Sequence, residues 1–251
     1  MEIFFDDEKG RLIEEESAIL KGGNGFFCCE KYGVSIKSCK LKDDDGTIDR
    51  YISLDCKGAN EKDSIKVLSD ELFGFLADFG KIKSVLCCGI GNPYVICDSL
   101  GAKTIRNLAY DRRDGLKLAV AMPHGLTGIE SSSVVRALCS YENVDLCIIV
   151  DSLSARGYEK IGTTFQFTDS GIVPGSAVGG VKPIDDTAIG VPVIAMGVPT
   201  VIRGGYLGAD VEAKGELFTP PNVDNIIDTA SSILSKVIIR TLKRIMKRKL
   251  S

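Results

Sequence analysis

Short, continuously apolar runs alternate along the chain with stretches of helical periodicity. Val85–Cys88 runs into Gly89-Ile90-Gly91-Asn92, Leu116–Ala121 follows a helix-like run over Ser99–Leu108, and Val144–Asp151 follows a second one over Ile129–Ser140. Unbroken apolar strands separated by helices predict βαβ units, right-handed crossovers and a parallel sheet covered on both faces. Upstream, Gly33–Cys39 and Arg50–Asp55 alternate between apolar and polar positions, and Asp43–Thr47 supplies a turn, so a small N-terminal β-hairpin is expected. Ile65, Val67, Leu68, Leu72, Phe75, Leu76 and Phe79 recur at helical spacing over Asp63–Phe79. Downstream come an alternating strand at Ile161–Phe167, a Gly/Ser/Pro-rich stretch over Thr168–Gly180, a buried strand at Val191–Gly197 and a last helix over Asn222–Lys249. The expected class is α/β, a three-layer, mostly parallel twisted sheet with helices on both faces (phosphorylase/hydrolase-like) plus the hairpin. Residues 1–25 form an acidic segment, and residues 26–251 a single α/β domain.

Composition narrows the partners. A net charge of −3 and the absence of Trp argue against a nucleic-acid cation or a stacking surface, so no direct nucleic-acid binding is expected. The longest apolar runs are strand-length, so no membrane span is expected, and the acidic start Met1–Glu8 lacks the basic opening of a secretory signal. A cytoplasmic protein is the expectation. Nine cysteines, an odd number with no C-x-x-C pair, read as free thiols, so no zinc or other cofactor is expected. Lys236–Lys249 holds seven Lys or Arg and no acid, which suits a solvated helix C-terminus.

Chemistry concentrates at two acids. Asp98 and Asp151 each follow a predicted parallel strand, so both open onto the carboxyl edge of the sheet, where such sheets bind ligands. Two neighbouring carboxylates that share a proton suit hydrolysis, one activating water and the other polarising a carbonyl. The pattern leaves open which is acid and which is base. Backbone amides of Gly89, Gly91 and Asn92, or of Asp169, Ser170 and Gly171 in the glycine-rich stretch, are candidate oxyanion donors. Arg156 is a candidate for steering an acidic substrate, or a structural ion-pair partner. Two alternatives use His124, the one histidine: a Cys97–His124 nucleophile pair, and a divalent metal held by Asp98, Asp151 and His124.

Several spaced motifs give the chain a family resemblance. They are Gly89–Asn92 with Asp98–Gly101, Leu126–Ser131, Val150–Arg156, Thr163–Gln166, Asp169–Ser176 and Gly190–Thr200. Together they resemble the germination protease (spore protease) family, which degrades small acid-soluble spore proteins when bacterial spores germinate. The resemblance implies an aspartic-type endopeptidase whose functional pair corresponds to Asp98 and Asp151, and a fold similar to that of hydrogenase maturation proteases. It keeps Glu130, within the Leu126–Ser131 motif, as a site candidate. It also implies a homo-oligomer in the spore or forespore interior, made as a zymogen, with residues 1–25 as a remnant of the propeptide. The departures are Cys97, where the family commonly has proline, and a Val201–Thr219 stretch shorter than the family's helical insertion. A metal-dependent or hydrogenase-maturation-like peptidase, or an inactive spore-protein-binding paralogue, are the alternatives.

Overall fold

A computed structural model of the chain describes residues 27–42, 48–111, 113–155, 157–175, 182–204 and 216–247. The strands are β1 (Phe27–Lys31), β2 (Val34–Lys42), β3 (Ile48–Asp55), β4 (Val85–Ile90), β5 (Leu116–Ala121), β6 (Leu146–Ala155), β7 (Thr164–Thr168), β8 (Val193–Arg203) and β9 (Leu217–Phe218). The helices are α1 (Glu61–Leu76), α2 (Leu100–Leu108), α3 (His124–Thr127), α4 (Ser131–Glu142), α5 (Asp186–Ile189) and α6 (Val223–Lys247). All nine described strands join one sheet in the order β1-β2-β3-β7-β8-β6-β4-β5, with β9 pairing on β8.

The α/β class and the three layers stand, and the sheet divides into two halves. β5, β4, β6 and β8 are parallel neighbours, as the unbroken apolar runs predict. From β8 outward every described pairing is antiparallel, through β7, β3, β2 and β1. The expected hairpin is therefore a three-stranded meander, and β3 pairing with β7 makes it part of the main sheet rather than an appendage. β1 carries no apolar alternation to reveal it, because Phe-Cys-Cys-Glu-Lys is an edge strand with four of five positions exposed.

Alternation sorts the core onto two faces. Val85, Cys87, Leu146, Ile148, Val150, Ile194 and Met196 pack under α1, α2 and α6, joined by Phe165 and Phe167 of β7. Leu86, Cys88, Ile90, Cys147, Ile149, Val193 and Ala195 pack under α4 and α5. α6 contributes a full stripe, Ile227, Ala230, Leu234, Val237, Ile238 and Leu242, in which each buried Val, Leu or Ile side chain contributes about 1.5–3 kcal/mol. The basic end of α6 is answered within the fold, since Lys236 pairs with Glu61 (2.5 Å), Arg244 with Asp70 (2.5 Å), and Arg244 stacks on Phe73.

Boundaries moved where a local cap or a proline overruled periodicity. Asn60, whose Oδ1 accepts from the Asp63 amide (2.9 Å), starts α1 before the expected Asp63. β8 runs on through Pro199 to Arg203, although a proline usually ends such a strand. Pro199 lacks an N–H, and the β6–β8 register slips there, Leu153 pairing with Pro199 but Ser154 with Val201.

Candidate active site

The site begins with two glycines that let backbone touch backbone. A Cβ on Gly89 of β4 would lie 2.3 Å from the carbonyl of Gly101, and a Cβ on Gly101 would lie 2.4 Å from the Ile90 oxygen and 2.5 Å from that of Val150. Neither position has room for a side chain, so the first turn of α2 lies directly on the ends of β4 and β6. Gly91 has φ +114°, and a Cβ there would meet the Asp98 carbonyl at 2.2 Å. Gly89 and Gly91 thus shape the connection that brings Asp98 back over the end of β4.

Asp98 sits in a 3₁₀ turn, Ile96–Asp98, just ahead of α2. Its Oδ2 accepts from the backbone N–H of Asn92 at 2.6 Å. Burial raises its carboxyl above the ordinary value, and the Asn92 bond partly offsets that rise. Asp151 stands in β6 one residue beyond the level of the last β4 pairing, Gly89 with Val150. It is 6% exposed, and among the described residues its Oδ1 accepts from its neighbour's amide alone, Ser152 N at 2.8 Å. Burial first, and the charge of Asp98 second, push the Asp151 carboxyl up to about 7. Among the described residues no Lys, Arg or His ion-pairs with either aspartate. The charge of Asp98 is among the causes of the Asp151 shift, so Asp151 is the member that keeps its proton up to about pH 7.

Other candidates fall elsewhere or into structural work. The Asn92 amide is engaged by Asp98, so it is no free oxyanion donor. Asp169 is clamped by Arg50, accepting from its backbone N–H and its Nε, both at 2.6 Å. Arg50 also bonds Asp78 (2.6 Å) and the Phe75 carbonyl (2.9 Å) and stacks on Phe75, so Asp169 ties β3 and β7 to α1. The Asp169 amide donates to the Arg50 carbonyl, and the Ser170 amide to Thr168 Oγ1 (3.1 Å). Gly171, at φ +81°, makes room for Ile184, which bridges to Ile172. Arg156 and Ser176–Gly180 lie outside the described residues. Glu130 caps the approach to α4 and faces His124 Nδ1 (3.7 Å) and Lys182 Nζ (3.6 Å). The Cys97 thiol is pushed up by burial and by Asp98, the wrong direction for a nucleophile. His124 is 60% exposed and turned to Glu130. Among the described residues no three His, Cys, Asp or Glu side chains group to hold a metal, so Asp98, Asp151 and His124 do not form such a set.

Sequence reasoning passed over two residues at the site. The slip at Pro199 turns Thr200 out of the ladder, and its hydroxyl donates to the Cys97 carbonyl at 2.6 Å, pinning the turn that carries Asp98. A proline followed by threonine inside an apolar strand is the signal that marks such a bulge. Gln166 lies in the same row across the sheet as Asp151, with Gly197 between them, and its buried Oε1 accepts no hydrogen bond among the described residues.

A three-layer α/β sheet with an aspartate pair at its carboxyl edge, unpaired with any cation among the described residues, defines the class of molecule. The chain belongs to the germination protease family, whose sequence profile matches residues 31–212. It is 34% identical over 233 residues to the germination protease of Bacillus subtilis (strain 168), covering 81% of this chain and 63% of that protein. Against the germination protease of Priestia megaterium it is 34% identical over 208 residues, covering 72% and 56%. The chain thus spans about three-fifths of the length of these relatives. Among solved structures, a [NiFe] hydrogenase maturation protease, HycI from Thermococcus kodakarensis, overlays on 69% of this chain and 99% of its own, with a TM-score of 0.47 and 18% identity. No helix among the described residues is long and apolar enough to cross a membrane.

Proposed function

We propose that this protein is an aspartic-type endopeptidase that degrades small acid-soluble spore proteins during germination, with Asp98 as base and Asp151 as acid. One observation carries the chemistry: among the described residues Asp151 is buried with no cation beside it, and burial together with the charge of Asp98 pushes its carboxyl up to about 7. The ionised Asp98 takes a proton from water as it attacks the scissile carbonyl carbon. Asp151 donates a hydrogen bond, then its proton, to the carbonyl oxygen. The amides of Asn92, Asp169 and Ser170 are engaged inside the fold, which favours the Asp151 proton as the electrophile. Collapse of the tetrahedral intermediate expels the amine, which leaves with a proton returned from the pair.

Family membership supports the substrate, and with it the spore interior as compartment, a homo-oligomeric state and activation from a zymogen. The test is cleavage of a purified acid-soluble spore protein by wild type, Asp98→Asn and Asp151→Asn, with folding checked by circular dichroism. Wild-type cleavage and loss in both variants is expected. Near-wild-type turnover in either folded variant would overturn the assignment. The kcat/KM profile should fall as pH rises through about 7, where Asp151 loses its proton, and fall again at acid pH as Asp98 gains one.

A further inference from the structure

Asp151 of β6 and Gln166 of β7 both pair with Gly197 of β8, so their side chains rise from one row on the same face of the sheet. Neighbouring strands lie about 4.8 Å apart, which sets the two residues about 10 Å apart with a glycine between them. Gln166 is 3% exposed, and its buried Oε1 has no hydrogen-bond partner among the described residues. Thr164, two residues back on the same face of β7, is wholly buried, and its Oγ1 is likewise unpartnered among the described residues. Thr168, two residues on, is treated differently. Its hydroxyl shares a hydrogen bond with Ser170 Oγ (2.7 Å) and accepts from the Ser170 amide (3.1 Å). A buried carbonyl oxygen left without a donor costs stability, so Gln166 calls for a donor from outside the described fold.

Leu153 separates Gln166 from Asp151. A Cβ on Gly197 would lie 2.5 Å from Leu153 Cγ and 2.7 Å from its Cδ1, so the leucine fills the place of the missing side chain between the two polar groups. It is only partly buried, and it makes an apolar floor with a carboxyl on one side and a carboxamide on the other. In a trans peptide unit the C=O and the N–H point in opposite directions. A substrate chain lying on Leu153 with its scissile carbonyl toward Asp151 therefore presents N–H groups on its other edge, toward Gln166. An unpartnered acceptor is the group that edge requires.

We propose that Gln166 binds the substrate backbone, its Oε1 accepting a hydrogen bond from a main-chain N–H beside the scissile bond and so holding the scissile carbonyl against Asp151. The inference rests on the peptidase reading above and adds how the peptide is aligned across the aspartates. Because every residue except proline carries a main-chain N–H, the contact aligns the chain without reading its side chains. Binding supplies the donor that the described fold does not.

The experiment compares wild type with Gln166→Met, which keeps the length of the side chain and removes the acceptor. Thermal unfolding without substrate comes first. Gln166→Met should melt at or above the wild-type temperature, because no hydrogen bond at Oε1 is lost. A lower melting temperature assigns the carboxamide to the fold and overturns the proposal. A synthetic peptide spanning the bond that wild type cuts in a purified acid-soluble spore protein is then made with each flanking N–H in turn replaced by an ester oxygen. In wild type one such ester should lower kcat/KM about tenfold or more, whereas in Gln166→Met the same ester should change it less than about threefold. Equal ester penalties in the two proteins at every position overturn the contact and leave the peptidase reading standing. If wild type leaves the spore protein intact, or Asp98→Asn cuts it as fast, the peptidase reading falls and takes the contact with it.

Discussion

Asp151 and Asp169 make an instructive pair. Asp151 lies within β6, just past the reach of β4, and Asp169 directly follows β7; the sequence offers both as site residues. Asp151 sits in the parallel half, under helices on both faces, and accepts one hydrogen bond from the next amide. Asp169 sits at the junction with the antiparallel half and receives both the backbone N–H and the Nε of Arg50. Burial without a cation drives a carboxyl toward its neutral form, whereas a guanidinium fixes the charge and uses it as a tie. The acid we propose for the chemistry is the one that the fold leaves without a cation among the described residues.

The sharpest break in that comparison is activity. Asp98→Asn and Asp151→Asn should each lower kcat/KM about 10³-fold or more, while Asp169→Asn, where folded, keeps turnover within about threefold. Stability should run the other way. The unfolded Asp151 carboxyl ionises near its ordinary value and the folded one near 7. Its unfavourable contribution is therefore absent below about pH 4, grows as pH rises to about 7, and is complete above that. Asp151→Asn should then be the more stable protein at pH 8, by at most about 4 kcal/mol, with the gain vanishing at acid pH. Denaturant melts at pH 4 and pH 8 measure it, and an Asn variant less stable at both would contradict the burial account.

The next effects separate packing from pairing. Gly101→Ala puts a methyl within 2.4–2.6 Å of the Ile90 and Val150 backbone and should destabilise by about 3 kcal/mol, because strands cannot move aside as a flexible side chain can. Asp169→Asn leaves Arg50 with one carboxylate, the exposed Asp78, and should lose about 2 kcal/mol, discounted for the 13–20% exposure of the pair. Thermal unfolding ranks the two, and a reversed order would mean that the clamp, rather than the glycine contact, holds the halves together.

How much of this was legible follows from how far apart the interacting residues lie. The parallel strands and both aspartates could be read because an unbroken apolar run and its terminal acid are local. The clamp on Asp169 could not, because Arg50 is 119 residues away and nothing around either residue announces the other. Gly89 stood out in the sequence only as a candidate amide donor, yet its need for glycine comes from Gly101 across the β4–α2 contact. The extension of β8 was hidden by Pro199, whose meaning depends on the bulge opposite Leu153 and Ser154.

The smallest expected effect tests that bulge. Thr200 is wholly buried, and its hydroxyl reaches the Cys97 carbonyl from a strand 103 residues on, so one side chain couples the antiparallel junction to the turn bearing Asp98. Thr200→Val keeps the shape, removes the donor and leaves the Cys97 carbonyl without that partner, at a cost of about 1 kcal/mol. If the bond only stiffens the fold, stability falls and turnover does not. If it positions Asp98, kcat should drop threefold to tenfold with KM nearly constant, and the acid limb of the pH profile, set by Asp98, should shift while the limb near 7 stays in place. Thr200→Ser, which restores the donor, should recover both. Failure of serine to rescue a slow valine variant would assign the loss to packing and leave the glycine contacts alone in charge of the turn.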